Sequence, residues 1–297
     1  MIDISGQQHE QTKIPKHVTC TGHDTVEFVG KYIDGLVSAN KLDRRLILGA
    51  VMTIPGSINL QSGFLTKSVL LNWPEFAIEE RLSERLGCHV RVENNGDALC
   101  RHFMDTHQVV DEQHSCVFLA HVSEGMGASI AMGGRIVRRL ADEGWINDIK
   151  ISASPSNGDN AQRLGDLTSG RAILRCALKA NEAVKRNGVE FGPMIQEAVA
   201  LANQDAGSIA STFYDRGCIL GANLVPLTTA IAPEVIVLAG PVLGAQVYSQ
   251  GVRAGYEKAV AEMNLQPSKI IVSDASYSDA AENLALHDFF LSGAYHG

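Results

Sequence analysis

Long apolar runs are missing from this 297-residue chain: none approaches the roughly 20 residues needed to cross a bilayer. Nor does the opening Met1-Ile2-Asp3-Ile4-Ser5-Gly6 carry the basic region and apolar core of a signal peptide. The two absences predict a cytoplasmic protein without a membrane partner. Clustered cysteines are missing as well. Cys20, Cys88, Cys100, Cys116, Cys176 and Cys218 are scattered, with no C-x-x-C spacing and no histidine at a metal-ligand interval. Several lie in apolar stretches, where a free thiol behaves as a small hydrophobe. A basic surplus is lacking too, since the formal charge is -8. A DNA-binding surface must neutralise phosphates, and no helix-turn-helix with a basic second helix is visible. What remains is ordinary for a globular protein, 45% hydrophobic and 20% charged, in a chain long enough for two lobes.

The order of elements is legible from periodicity. Asp24 and Glu27 read as a capping box, followed by Val26, Val29, Ile33 and Leu36 at helical spacing. Leu46 to Ile54 reads as a strand closed by Pro55-Gly56. Pro74 and Glu75 open a helix with Ile78, Leu82 and Leu86 on one face and Gly87 as its cap. His89 to Glu93 alternates as a strand, and Asn94 to His107 reads as a helix. In the second half, Ser115 to Val122 and Ala128 to Met132 are strands, and Gly133-Gly134 turns into Arg135–Arg138. Leu167 to Arg186 is helical, with further helices to about Ala232. Glu234–Ala239 is a strand, Leu243–Met263 a helix, Lys269–Ser273 a strand and Asp279–Leu291 a final helix. The irregular stretch from about Asp142 to Asp166 is the longest loop, either functional or a surface excursion.

The second half begins with three strands and then alternates helix and strand. The first half alternates likewise, with room for one opening strand only, within Ile4 to Ile14. Two related halves follow the plan of the duplicated actin-like nucleotide-binding fold, an α/β architecture of two lobes. The expected first lobe is residues 1–112, short of its two opening strands, plus the C-terminal helix 280–297. The second is 113–279.

Several segments carry a family resemblance. Ile47-Leu48-Gly49-Ala50-Val51-Met52-Thr53-Ile54-Pro55-Gly56, then Asn72-Trp73, then Val92-Glu93-Asn94-Asn95-Gly96-Asp97-Ala98 resemble the ROK family, which groups bacterial sugar kinases with sugar-responsive transcriptional regulators. Glu124-Gly125-Met126-Gly127-Ala128, Leu167-Thr168-Ser169-Gly170-Arg171-Ala172 and Pro233-Glu234-Val235-Ile236-Val237-Leu238-Ala239-Gly240 also fit. Each motif is weak alone; their order and spacing make the combination fairly specific.

The departures matter most. The family's kinases carry E-N-D-x-N, whose aspartate takes the proton from the attacking sugar hydroxyl; here that position is Asn95. An amide can position a hydroxyl but cannot accept its proton near neutral pH. The alternative is that Asn94 and Asn95 only cap the following helix. The family's first phosphate loop, D-x-G-G-T, has no clear counterpart, because Asp3-Ile4-Ser5-Gly6 better fits the second strand. In the second loop G-T-G-x-G becomes Ser123-Glu124-Gly125-Met126-Gly127, and Glu124 places a carboxylate where a polyanion would lie. A plain turn is the competing reading. The resemblance thus implies Glu124, Gly125, Gly127 and Gly240 at a nucleotide site that has been compromised.

The family's G-E-I-G-H, which contacts sugar and zinc, aligns with Gly144-Trp145-Ile146-Asn147-Asp148, and its zinc loop with a Cys-free stretch ending Arg163-Leu164-Gly165. No metal and no cofactor are expected, since side chains of Asp, Asn and Arg do not replace three thiolates. Gly56, Asn94, Asn95, Trp145 and Asp148 remain as candidate ligand-binding residues. Trp145 offers a flat face to a ligand or packs its loop. His121, lone in an apolar strand, reads as a core residue, and Lys13, Lys16 and His17 as a solvated surface.

The resulting expectation is the ligand-sensing and oligomerisation domain of a ROK-type regulator without kinase activity. It would take a small-molecule effector, a sugar or derivative, form a homodimer or homotetramer, and contact DNA only through a missing N-terminal domain. The alternative is an ATP-dependent sugar kinase truncated at its N-terminus.

Overall fold

The computed structural model describes residues 21–40, 42–59, 62–68, 70–107, 115–137, 146–151, 162–180, 190–204 and 207–291. Two compact units result: the described residues up to His102 and from Ser276 on form one, and the described residues between Phe103 and Ala275 form the other. The expected opening strand and the basic cluster at Lys13, Lys16 and His17 lie outside the described residues, as do Gly144, Trp145 and the Ser154–Asn160 loop. Among the described residues no helix is long and apolar enough to cross a membrane.

In the first unit, α1 (Gly22–Ala39) is capped three residues earlier than the sequence suggested. Thr21 is extended, and its hydroxyl oxygen accepts from the Asp24 amide at 3.1 Å, so Asp24 is the third residue of the helix rather than its cap. The apolar run at Leu46 is not strand. Asp43 accepts from the Arg45 amide at 3.0 Å and starts a 3-10 turn over Arg44–Leu46, which leaves Leu46 exposed. Strand β1 is therefore only Ala50–Ile54. It is followed by a hairpin that periodicity did not reveal, β2 (Ser57–Asn59) with β3 (Phe64–Lys67). Phe76 exchanges backbone hydrogen bonds with Leu65, so α2 begins at Ile78, not at Pro74, and ends at Leu86 with Gly87 as its left-handed cap.

Strand β4 (Val90–Asn94) pairs parallel with β1, Ile54 level with Asn94, and α3 (Asn95–His107) follows at once. Val26, Ile54, Leu65, Trp73, Ile78, Leu82, Leu86, Val90 and Val92 form the core of this unit. Its last elements are α9 (Tyr277–Leu286), which starts in a Ser276–Asp279 capping box, and a π turn over His287–Leu291.

The second unit is built on a five-stranded sheet. Its strands are β5 (Cys116–Val122), β6 (Met126–Met132), β7 (Arg135–Ile136), β10 (Val235–Ala239) and β11 (Lys269–Val272), in the order β11-β10-β5-β6-β7. The first three in that order are parallel; β5, β6 and β7 are antiparallel neighbours. A short antiparallel pair, β8 (Lys150–Ile151) and β9 (Gln162–Arg163), precedes α4 (Leu164–Thr168). The single helix read from Leu167 onwards is broken: Ser169 is extended, and its hydroxyl oxygen accepts from the Ala172 amide at 3.3 Å to start α5 (Gly170–Ala180).

Helices α6 (Phe191–Asn203), α7 (Ser208–Thr228) and α8 (Gln246–Glu262) complete the unit, α8 preceded by a separate 3-10 turn at Pro241–Gly244. One side of the sheet, with Phe118, Ala120, Val122, Ile236 and Leu238, shares a core with Phe213, Leu220 and Leu224 of α7 and Tyr248 and Val252 of α8. Full burial of each such side chain stabilises the fold by roughly 1.5–3 kcal/mol. Helices α7 and α8 touch backbone to backbone, since any Cβ on Gly221 would collide with the Val252 carbonyl oxygen.

Candidate functional site

Parallel strands that end level bring their following loops together, and ligands in open α/β sheets bind at such carboxyl ends. Here the register Ile54↔Asn94 places Pro55-Gly56 beside the β4–α3 junction. The Asn94 side chain bridges the two: Nδ2 donates to the Gly56 carbonyl oxygen at 2.8 Å, while Oδ1 accepts from the amides of Gly96 at 2.7 Å and Asp97 at 3.3 Å. Asn94 is thus the cap of α3 and the tether of the neighbouring loop. The Ser68 hydroxyl, itself buried, donates to the Pro55 carbonyl oxygen and holds the same loop from the other side.

Asn95 does something different. It is 8% exposed, and its Oδ1 is buried with no hydrogen-bond donor among the described residues. An unmet buried acceptor costs about 1–3 kcal/mol, and a water or a ligand hydroxyl would supply the donor. Asp97 does not place a carboxylate at this position. Two positions apart on α3, at about 100° per residue, Asn95 and Asp97 project from nearly opposite sides of the helix.

The second candidate group surrounds the β5–β6 turn. The Ser123 carbonyl oxygen accepts from the Gly170 amide at 2.8 Å, and that of Glu124 from the Arg171 amide at 3.1 Å. Two of the free N–H groups that begin α5, the kind that bind phosphate, are therefore used by the chain itself. The Glu124 carboxylate pairs with the Arg171 guanidinium, Glu124 being mostly buried and Arg171 mostly exposed. A cation in the first turn of a helix opposes its dipole, and Glu124 offsets that. Gly240 has φ +105°, and a Cβ there would stand 2.5 Å from the Val122 carbonyl oxygen, so its role is close backbone approach. Gly127 lies across from His121 in the β5–β6 register, and a Cβ on it would stand 2.5 Å from His121 Nε2. Burial holds the His121 pKa down at about 4, so the ring is neutral near pH 7.

Asp148 belongs to neither group. Its Oδ1 accepts from Arg163 Nη1 at 3.1 Å and from Asn147 Nδ2 at 3.3 Å, and the side chain is half exposed. A zinc ion of the kind the resemblance implies does not fit this donor set: the aligned histidine is Asp148, engaged by a guanidinium, and no thiol lies between Ile149 and Gly165. Among the described residues no three His, Cys, Asp or Glu are grouped to hold a metal.

Gly56, Asn94 and Asn95 are thus brought together at one strand-end junction, and Glu124, Gly125, Gly127 and Gly240 around one turn. Trp145 lies outside the described residues. Arg171 and Ser68 were missed as contributors. Arg171 carried a signal, a cation at the very start of a helix, whereas Ser68 is distinguishable only by its contacts.

The ROK family pattern matches residues 1–285, and the chain belongs to the ROK family. It is similar to a glucokinase from Halalkalibacterium halodurans, 23% identical over an alignment of 251 residues that covers 81% of this chain and 76% of the relative. Among solved structures, a ROK family transcriptional regulator homologous to the E. coli MLC protein superposes with a TM-score of 0.75 at 20% identity, over 98% of this chain and 76% of the other. A ROK family glucokinase from Streptomyces griseus, in complex with glucose and AMPPNP, gives 0.68 at 18% identity over 87% and 86%. The fold is the mixed α/β architecture of these actin-like proteins.

Proposed function

We propose that this ROK-family chain is the effector-binding and oligomerisation module of a sugar-responsive transcriptional regulator and does not transfer phosphate. The observation that carries this reading is the state of Asn95. A buried amide oxygen without a donor among the described residues, at the end of a parallel strand pair, suits a ligand hydroxyl, yet an amide cannot take that hydroxyl's proton. The turn at Ser123–Gly125 supports it independently, because its carbonyls consume helix N–H groups and its carboxylate is paired with Arg171 at the start of that helix.

The effector is then a neutral sugar or sugar derivative, recognised through Gly56, Asn94 and Asn95. The protein acts as a homodimer or homotetramer, and a net charge of -8 leaves DNA contact to residues other than these. Ligand binding biases one of two conformations, which the assembly transmits. Calorimetric titration with glucose, N-acetylglucosamine, N-acetylmannosamine and xylose, each with and without ATP and Mg²⁺, tests the reading. It predicts binding of at least one sugar with an affinity that ATP does not change. Tight ATP binding, or sugar binding that requires ATP, would support the kinase alternative instead.

A further inference from the structure

The residue before Asn94 is a carboxylate that the reading above does not use. Glu93 is 1% exposed within β4. One of its oxygens, Oε1, accepts from the Asn94 amide at 3.1 Å; the other, Oε2, lies 3.0 Å from Arg91 Nη2. A buried carboxylate stays ionised only if a cation or several donors compensate it. Arg91 supplies the cation, and its orientation is set from far away in sequence: Nη1 pairs with Asp288 in the C-terminal π turn, 197 positions on.

That turn is also seated by packing. The ring of Phe289 meets His89 edge to face, with centroids 5.6 Å apart, and lies directly over Gly49, where a Cβ would stand 2.5 Å from the ring. Charge and shape thus both fix Asp288 against the β1–β4 pair. From there an unbroken chain of bonds runs Asp288, Arg91, Glu93, the Asn94 amide, and through the Asn94 side chain to Gly56 and the first turn of α3.

We propose that Asp288 and Arg91 are positioning residues for the Asn94–Asn95 junction, so that docking of the C-terminal turn sets the geometry of the ligand-binding end of the first unit. This rests on reading that junction as ligand-binding. The physical step is local. Without Arg91, Glu93 loses a charge-assisted partner at 3.0 Å, and the carboxylate that accepts from Asn94 N–H is held less firmly. Asn94 then holds Gly56 and the amides of Gly96 and Asp97 less firmly. The turn is unusual in being a π segment, a form frequent at functional sites.

The test is amide hydrogen exchange across residues 92–98 in the full chain without ligand, for wild type, Asp288→Asn, Arg91→Met and Asp288→Glu, with urea midpoints measured beside it. The proposal predicts at least tenfold faster exchange at Asn94, Gly96 and Asp97 in Arg91→Met and Asp288→Asn, beyond any change at the Leu82 and Leu86 amides of α2, and recovery in Asp288→Glu. Uniform acceleration across the unit, in step with a lower urea midpoint, would make the pair a plain structural clamp and overturn the proposal. So would unchanged exchange at 92–98. Titration with glucose, N-acetylglucosamine, N-acetylmannosamine and xylose separates the two readings. Faster local exchange in variants of a wild type that binds no sugar in the panel upholds the positioning role and removes the ligand reading.

Discussion

The side-chain amide of Asn94 donates to the carbonyl oxygen of Gly56 at 2.8 Å, joining positions 38 apart in sequence across the ends of two parallel strands. The same side chain caps α3 through its oxygen. Truncation removes both at once and leaves a carbonyl and two amides to find other partners. Asn94→Ala should therefore lower unfolding stability by about 1–3 kcal/mol. Urea denaturation measures this, and a loss below about 0.5 kcal/mol, the range of an ordinary surface substitution, would contradict it.

Gly221 and Gly255 occupy the same helix seam. A methyl group on Gly221 would overlap the Val252 carbonyl oxygen, and one on Gly255 the Cys218 carbonyl oxygen. Both obstacles are backbone, which a rotamer change does not move. Gly221→Ala should destabilise the second unit by about 1–3 kcal/mol or more. Alanine has the higher helix propensity, so a gain in thermal midpoint would show that the two helices separate without cost.

His121 gives a pH dependence with a definite sign. Its folded pKa, about 4, lies below the ordinary 6.5 because burial disfavours the imidazolium. The unfolded chain therefore binds the proton first. The stabilisation is complete above pH 6.5 and is lost as pH falls from 6.5 towards 4, by up to about 3 kcal/mol. Urea midpoints from pH 7.5 to 4.5 for wild type and His121→Gln should diverge in this window. Parallel curves would mean that the ring is solvated.

Purified protein should carry no stoichiometric zinc, and chelator should leave its melting temperature unchanged. Elemental analysis decides the first point. A bound equivalent of zinc whose removal unfolds the chain would require ligands other than Asp148 and the Cys-free segment after it.

How much of this was legible in the sequence follows from what each feature rests on. The apolar stripe Ile78, Leu82 and Leu86 and the continuous apolar run Val235–Ala239 marked a helix and a strand, because their burial pattern is itself the signal, though the helix begins at Ile78 and not at Pro74. The errors fell where one side chain redirects the backbone. Asp43 turned an apolar run into a 3-10 turn, Ser169 split a helix, and Thr21 took the cap assigned to Asp24. The β2–β3 hairpin has no alternation over its three and four residues to betray it. In the candidate site, the two consecutive asparagines were recognised as a pair. Their division of labour, Asn94 as cap and tether and Asn95 with its buried oxygen, depends on side-chain directions that only the folded chain fixes. Arg91 and Asp288 were invisible because nothing local links positions 197 apart.

The most direct measurement is a coupled ADP-release assay with ATP, Mg²⁺ and glucose, N-acetylglucosamine, N-acetylmannosamine or xylose, on the wild type, Asn95→Asp and the double variant Asn95→Asp with Glu124→Thr. The wild type carries at position 95 an amide that cannot take a proton, and Asn95→Asp supplies a carboxylate there while Glu124 and Arg171 still pair across the β5–β6 turn. A phosphoryl group misplaced by about 1 Å can cost on the order of 100-fold in rate. The account predicts no sugar-dependent turnover in the wild type or in Asn95→Asp, with any activity confined to the double variant. Sugar-dependent turnover above about 1 per second, an ordinary kinase rate, in the wild type or in Asn95→Asp would contradict it and make the chain a sugar kinase.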